Sequence, residues 1–159
     1  MAAVYEWSET NGAGAVVTDG IANLNMGNID QTALTPATYP VVAGENAYEK
    51  YIRAKFSSTF TEISNMKFWK SVGAYLTGED VKAAANVTYT QPVKTTSAVA
   101  TVTIPVTEGT ALAVQSAAGT TTITAPGYTK YLCLQLQTTG STPSGALNQK
   151  TYTFQYDEV

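Results

Sequence analysis

An antiparallel β-sandwich is the fold class this sequence predicts, and three observations predict it. Several segments alternate apolar and polar residues with a period of two, the pattern of a strand with one buried and one wetted face. Composition points the same way. Charged residues make up 13% of the 159, about half the usual share of roughly 25%, while ten residues are Tyr and Thr is abundant. Both are better strand than helix residues. Turn pairs built from Gly, Pro, Asn and Asp punctuate the chain at short intervals, with no long helical period between them. The expected architecture is all-β, an antiparallel sandwich of jelly-roll or immunoglobulin-like type. It forms one domain over residues 1–159, with 1–46 as an extended N-terminal arm or long loop.

Taken in order, residues 4–7 read as a short strand and Asn11-Gly12-Ala13-Gly14 as a turn or flexible link. Val16 and Val17 lead into a second turn pair, Asp19-Gly20, and residues 21–26 alternate before Gly27. From 30 to 44 the chain carries Pro36 and Pro40 and few repeating apolar positions. This part is expected either as a surface loop on its own domain or as a limb that reaches a neighbour.

The clearest organisation lies between Tyr48 and Trp69. Ile52, Ala54, Phe56, Ser58 and Phe60 fall on one side of a strand, and Tyr51, Arg53, Lys55, Ser57 and Thr59 on the other. Ser64-Asn65 predicts a turn and residues 66–72 a second strand, with Trp69 in the core. Five of the nine basic residues (Lys50, Arg53, Lys55, Lys67 and Lys70) fall between positions 50 and 70 and read as the wetted face of the two strands. Residues 79–85 are the best helix candidate by alanine content, though short enough to be a turn or a bulged strand. Residues 98–104 predict a strand limited by Pro105, and 111–115 with 120–124 a hairpin across Ala117-Ala118-Gly119. Residues 128–138 set Leu132, Leu134 and Leu136 against Tyr131, Cys133, Gln135 and Gln137. In the last strand, 150–156, Tyr152, Phe154 and Tyr156 share one face. The predicted core joins the apolar side of the Ile52 strand to these two segments.

Several function classes are disfavoured. A net charge of −3 offers neither the clustered cations that nucleic acid needs nor attraction to an anionic membrane. The absence of histidine removes Ser-His-Asp and Cys-His catalysis and the commonest zinc sites. One cysteine, Cys133, allows neither an internal disulfide nor a thiolate metal cluster; if its sheet is covered on both sides, it is a small buried residue. The near carboxylate pairs are Glu6 with Glu9, Glu79 with Asp80, and Asp157 with Glu158. Nothing places any two of them the roughly 5–9.5 Å apart that a glycosidase requires. No catalytic residue, cofactor or metal ligand is expected. The Asn86-Val87-Thr88 sequon reads as chance, because residues 1–10 have the features of no signal peptide. Aromatics are the remaining currency for recognition. Tyr5 and Trp7, in the N-terminal segment, are the candidate partner-binding residues, with core packing the competing reading for Trp7.

The run Ala47-Tyr48-Glu49-Lys50-Tyr51-Ile52-Arg53, the segment Ile63-Ser64-Asn65-Met66-Lys67-Phe68-Trp69, and the C-terminal Tyr-Leu-x-Leu-Gln-Leu-Gln strand closing on Phe-Gln-Tyr-Asp-Glu resemble small virion structural proteins of tailed bacteriophages. Within that group the chain is most similar to capsid decoration proteins, also called cement or auxiliary head proteins. The resemblance covers most of residues 45–159 and rests on general pattern. It implies a non-enzymatic subunit made in a host cytoplasm and carried on the capsid exterior. Its partner would be the major capsid protein, and it would be a homo-oligomer, often a trimer, with residues 1–46 contributing an arm to the contact. The alternative is a carbohydrate-binding module or a phage tail or fibre domain that reads host surface sugars.

Overall fold

A computed structural model describes residues 2–159, and the chain is all-β with antiparallel sheets, consistent with a sandwich. The strands are β1 (Val4–Asn11), β2 (Val16–Asp19), β3 (Lys50–Ser57), β4 (Ile63–Val72), β5 (Glu79–Val87), β6 (Val102–Thr103), β7 (Leu112–Ala113), β8 (Gly127–Tyr128), β9 (Tyr131–Thr138) and β10 (Thr151–Glu158). The larger sheet runs β2-β1-β3-β9-β5-β6, with β8 also on β3, and the smaller runs β10-β4-β7.

The period of two places the core. Ile52, Ala54 and Phe56 of β3, Leu132, Leu134 and Leu136 of β9, and Val81 and Ala83 of β5 form the inner face of the large sheet. They meet Met66 and Phe68 of β4, with Tyr152, Phe154 and Tyr156 of β10 packed alongside. Register holds the leucines in place: Leu132 lies opposite Ile52, Leu134 opposite Lys50, and Leu136 opposite Val81.

The outer face of the large sheet is covered as well. Residues 88–101 cross it, burying Tyr51, Cys133 and Ala100 with Tyr89, Val99 and Tyr131 around them. The buried Gln135 side chain pins this cover by donating to Thr95 O (2.8 Å) and accepting from Ser97 N (2.9 Å). Cys133 is therefore a free, fully buried thiol in a two-sided sheet.

Several expectations are corrected. Residues 79–85 are strand, not helix: Val81 and Ala83 alternate inward, and pairing with β9 from Glu79 to Ala84 outweighs alanine's local preference. The strand does bulge, at Asn86 with φ +61°. Of 98–104, only Val102–Thr103 is strand. The 111–115 and 120–124 arms turn at 116–120 but do not pair with each other. Val114 N donates to Met66 O and Ile123 N to Ile63 O, so both arms line the edge of β4. Residues 21–26 are irregular, although Ile21, Leu24 and Met26 pack on the core.

Three side chains also depart from expectation. Trp69 is half-buried on the outer face of the small sheet, because Met66 and Phe68 take the inward positions and a neighbour in a strand must point the other way. Lys50 is 0% exposed and Lys70 is buried, so neither lies on a wetted face. Lys50 Nζ is held at 2.6 Å from Glu9 Oε1 and donates to Gln31 O. Lys70 Nζ donates to Gly73 O (2.6 Å) beneath the Tyr75 ring.

Residues 4–19 of the N-terminal segment form the β1–β2 hairpin, turned through Gly12 and Gly14 at φ +85° and +89°. Residues 20–48 then return over the domain, with Leu34 buried and Tyr48 N donating to Gly27 O.

Candidate functional site

The two residues singled out for partner binding meet at one side of the sandwich. Tyr5 and Trp7 are two apart on β1, so both lean towards the small sheet. There they join Phe154 and Tyr156 of β10. Tyr5 lies 5.9 Å from Phe154 and 5.6 Å from Tyr156 between ring centroids, the latter edge to face. Trp7 lies 5.3 Å from Phe154 and 5.6 Å from Phe68, both edge to face. Such pairs are worth about 0.5–1.5 kcal/mol each beyond their buried area.

The two residues differ in depth. Trp7 is half-buried and part of the core packing, whereas Tyr5 remains 40% exposed at the mouth of the seam. Burial raises the Tyr156 phenol above its ordinary value, with the Glu158 carboxylate and Tyr5 adding to the effect. These residues come from opposite ends of the chain, and Ala3 N also donates to Glu158 Oε1 (2.6 Å). The seam is a row of aromatics, partly open, between β1 of one sheet and the edge strand β10 of the other.

Beside Trp7 a cavity of about 780 Å³ continues into the sandwich, over Ile52, Phe68, Val81 and Leu136. Its charged liners are Glu79 and Lys150, which pair with each other, so no free charge orients a polar ligand there.

The carboxylate pairs do not converge. Glu79 joins Lys150 while its neighbour Asp80 joins Lys82 at 2.7 Å on the opposite face. Glu6 reaches Lys55, whereas Glu9 is buried against Lys50. Asp157 accepts from Asn65 Nδ2, while Glu158 turns to Ala3. Among the described residues no group of three or more acidic or cysteine side chains is placed to hold a metal ion.

The outer face of the large sheet carries a second aromatic cluster. Tyr51 shares a 2.6 Å hydrogen bond with Thr90 Oγ1, and the Arg53 guanidinium lies 3.8 Å over the Tyr128 ring. Burial pushes the Tyr51 phenol well up and the Cys133 thiol up to about 12, so neither is a nucleophile near neutral pH. Asn86 of the sequon is engaged structurally, its side chain donating to Ala113 O and accepting from Gln115 N.

No known family, curated protein or solved structure matches this chain.

Phe154 and Tyr156, which line the seam with Tyr5, read from their strand pattern as core residues alone. Only their position on an edge strand, beside an exposed Tyr5, brings them to the surface.

Proposed function

We propose that this chain is a non-enzymatic structural domain that binds the outer surface of a phage capsid and reinforces the shell. The observation that carries this reading is the exposed Tyr5 set among Trp7, Phe154 and Tyr156 at the open side of a rigid sandwich. Tyr and Trp anchors at a well-packed site are what protein interfaces favour. The resemblance of residues 45–159 to capsid decoration proteins supplies the partner, the major capsid protein. Binding only the assembled lattice would stabilise it by mass action, and many identical contacts would make a modest one effective.

The test is co-sedimentation with intact capsids of the phage that encodes the chain. The expected outcome is a fixed ratio to the shell protein, reduced by Tyr5→Ala. Wild-type protein that stays in the supernatant beside undecorated capsids overturns the reading.

A second reading, recognition of host surface sugars, is favoured by one observation. Trp69 stands on the outer face of the small sheet with Thr153 as its cross-strand neighbour and Lys67 and Ser71 on the same strand face, a polar setting for an aromatic platform. Binding on a glycan array that Trp69→Ala abolishes would decide for it.

A further inference from the structure

We propose that β10 is a dimerisation edge, pairing antiparallel with β10 of a second copy about a two-fold axis at Phe154. This goes beyond the capsid reading and does not depend on it. Four observations carry it: the length of the edge, its lack of protection, the direction of its backbone groups and its charge.

Among the described residues the other sheet edges are short. β2 has four residues, while β6 and β7 have two each. β10 has eight and pairs on one side only, with β4. Edge strands invite a further strand unless they are cut short, bulged or guarded by Lys or Pro. Thr151–Glu158 contains neither Lys nor Pro, and its two charges, Asp157 and Glu158, are confined to its last two residues. Its pairing with β4 has two irregularities, and both place the extra residue on β4: Gln155 to Asp157 spans Lys67 to Ser64, and Thr151 to Tyr152 spans Val72 to Lys70. β10 itself stays regular.

The hydrogen bonds of β4 fix which backbone groups of β10 are free. Val114 N donates to Met66 O and Lys70 N to Pro105 O, so Met66, Phe68 and Lys70 turn their peptide groups away from β10. Lys67 and Trp69 therefore bond Gln155 and Thr153, their register partners. At the far end Val159 and Glu62 exchange both bonds. The N–H and C=O groups of Tyr152, Phe154, Tyr156 and Glu158 thus face the open side.

A two-fold axis at Phe154 sets these groups against their own kind. Phe154 lies opposite Phe154, Tyr152 opposite Tyr156, and Lys150 opposite Glu158 of the second copy. Lys150 is nearly buried and already paired with Glu79, so what meets Glu158 is the one positive charge left over at that end and not a free ammonium. At the Lys150 end two lysines, Lys150 and Lys70, lie 5.5 and 4.7 Å from the centre of the Tyr75 ring, with Glu79 as the one carboxylate bonded to either. At the other end Asp157 and Glu158 are both exposed. Antiparallel pairing lays the anionic end on the cationic end twice. It joins the two small sheets into one.

The register is directly testable. Thr153 and Gln155 of opposite copies form a pair without mutual hydrogen bonds, which brings Cα atoms to about 4.5 Å, within disulfide range. Thr153→Cys/Gln155→Cys should oxidise to a covalent dimer, while Thr151→Cys/Gln155→Cys, out of register, should not; buried Cys133 does not compete. Sedimentation equilibrium should report a dimer for the wild type. Thr153→Lys/Gln155→Lys, whose side chains point away from the core, should weaken it roughly tenfold or more by like-charge pairs, and Glu158→Lys should weaken it too, with circular dichroism unchanged for both. A wild type that is monomeric at every soluble concentration, or trimeric, overturns the proposal. So does cross-linking that is equal for both cysteine pairs, or a dimer indifferent to the lysine substitutions. Capsid binding enters none of these readouts.

Discussion

Lys50 and Glu9 are buried together on the inner side of the β1–β3 pair, and Glu9 Oε2 also accepts from Ala33 N (3.0 Å). The pair thereby ties the 31–33 loop to the sheet. Removing one partner of such a pair leaves a buried charge alone and costs about 3–5 kcal/mol. Lys50→Met and Glu9→Gln should each show that loss in urea denaturation, and the double variant should recover part of it. Gly73 is a different kind of constraint. Its φ is +97°, and a Cβ there would sit 2.9 Å from Lys150 Cα and closer still to Gln149 O. Gly73→Ala should destabilise by about 1–3 kcal/mol through strain and backbone displacement, read from the same experiment. On the surface, the hydrogen bond from Lys55 is the main reason that the Asp19 carboxyl titrates below its ordinary 3.8. A depressed acid adds stability above its unfolded value and loses it as pH falls through the folded one. Asp19→Asn should therefore flatten the acid limb of Tm between about pH 5 and about pH 2.

At the scale of the element, β4 offers the sharpest contrast. Phe68 is buried between the sheets and stacked on Tyr152 at 5.6 Å, while the adjacent Trp69 lies outside. Phe68→Ala should cost about 3–5 kcal/mol, and Trp69→Ala much less, by thermal unfolding. β1 is equally instructive. Its register with β3 runs from Val4 opposite Ser57 to Thr10 opposite Tyr51. A deletion of residues 1–20 removes this strand along with any contact it makes, so the role of Tyr5 in a partner contact is better probed by Tyr5→Ala.

For the whole molecule, burial of titratable side chains on both the large and the small sheet has a consequence at high pH. Burial pushes the Cys133 thiol from 9.0 up to about 12 and the Tyr75 phenol from 10.0 up to about 12, and it raises Tyr51 and Tyr152 further. All are neutral in the fold and ionise more readily when unfolded. The stability they add is complete below about pH 9 and is lost as pH rises towards the folded values. Tm should fall steadily over that window, with the phenolate absorbance of the buried tyrosines appearing only as the protein unfolds.

Local pattern was enough to show strand character within residues 52–60, 128–138 and 150–156, and to set the apolar side chains of those strands on the inner face. A period of two is a local property of the backbone, so Ile52, Leu134 and Phe154 declare their faces without reference to anything distant. The same period sets Phe68 and Trp69 on opposite faces without saying which of the two is buried. Tertiary structure alone decided the rest. Pairing with β9 made a strand of an alanine-rich segment, and Glu9, 41 residues away, made Lys50 a buried cation. The seam itself joins Tyr5 to Tyr156, and no pattern within either segment states that they meet. Chain closure is a long-range event, written in the packing of two sheets and not in the period of either.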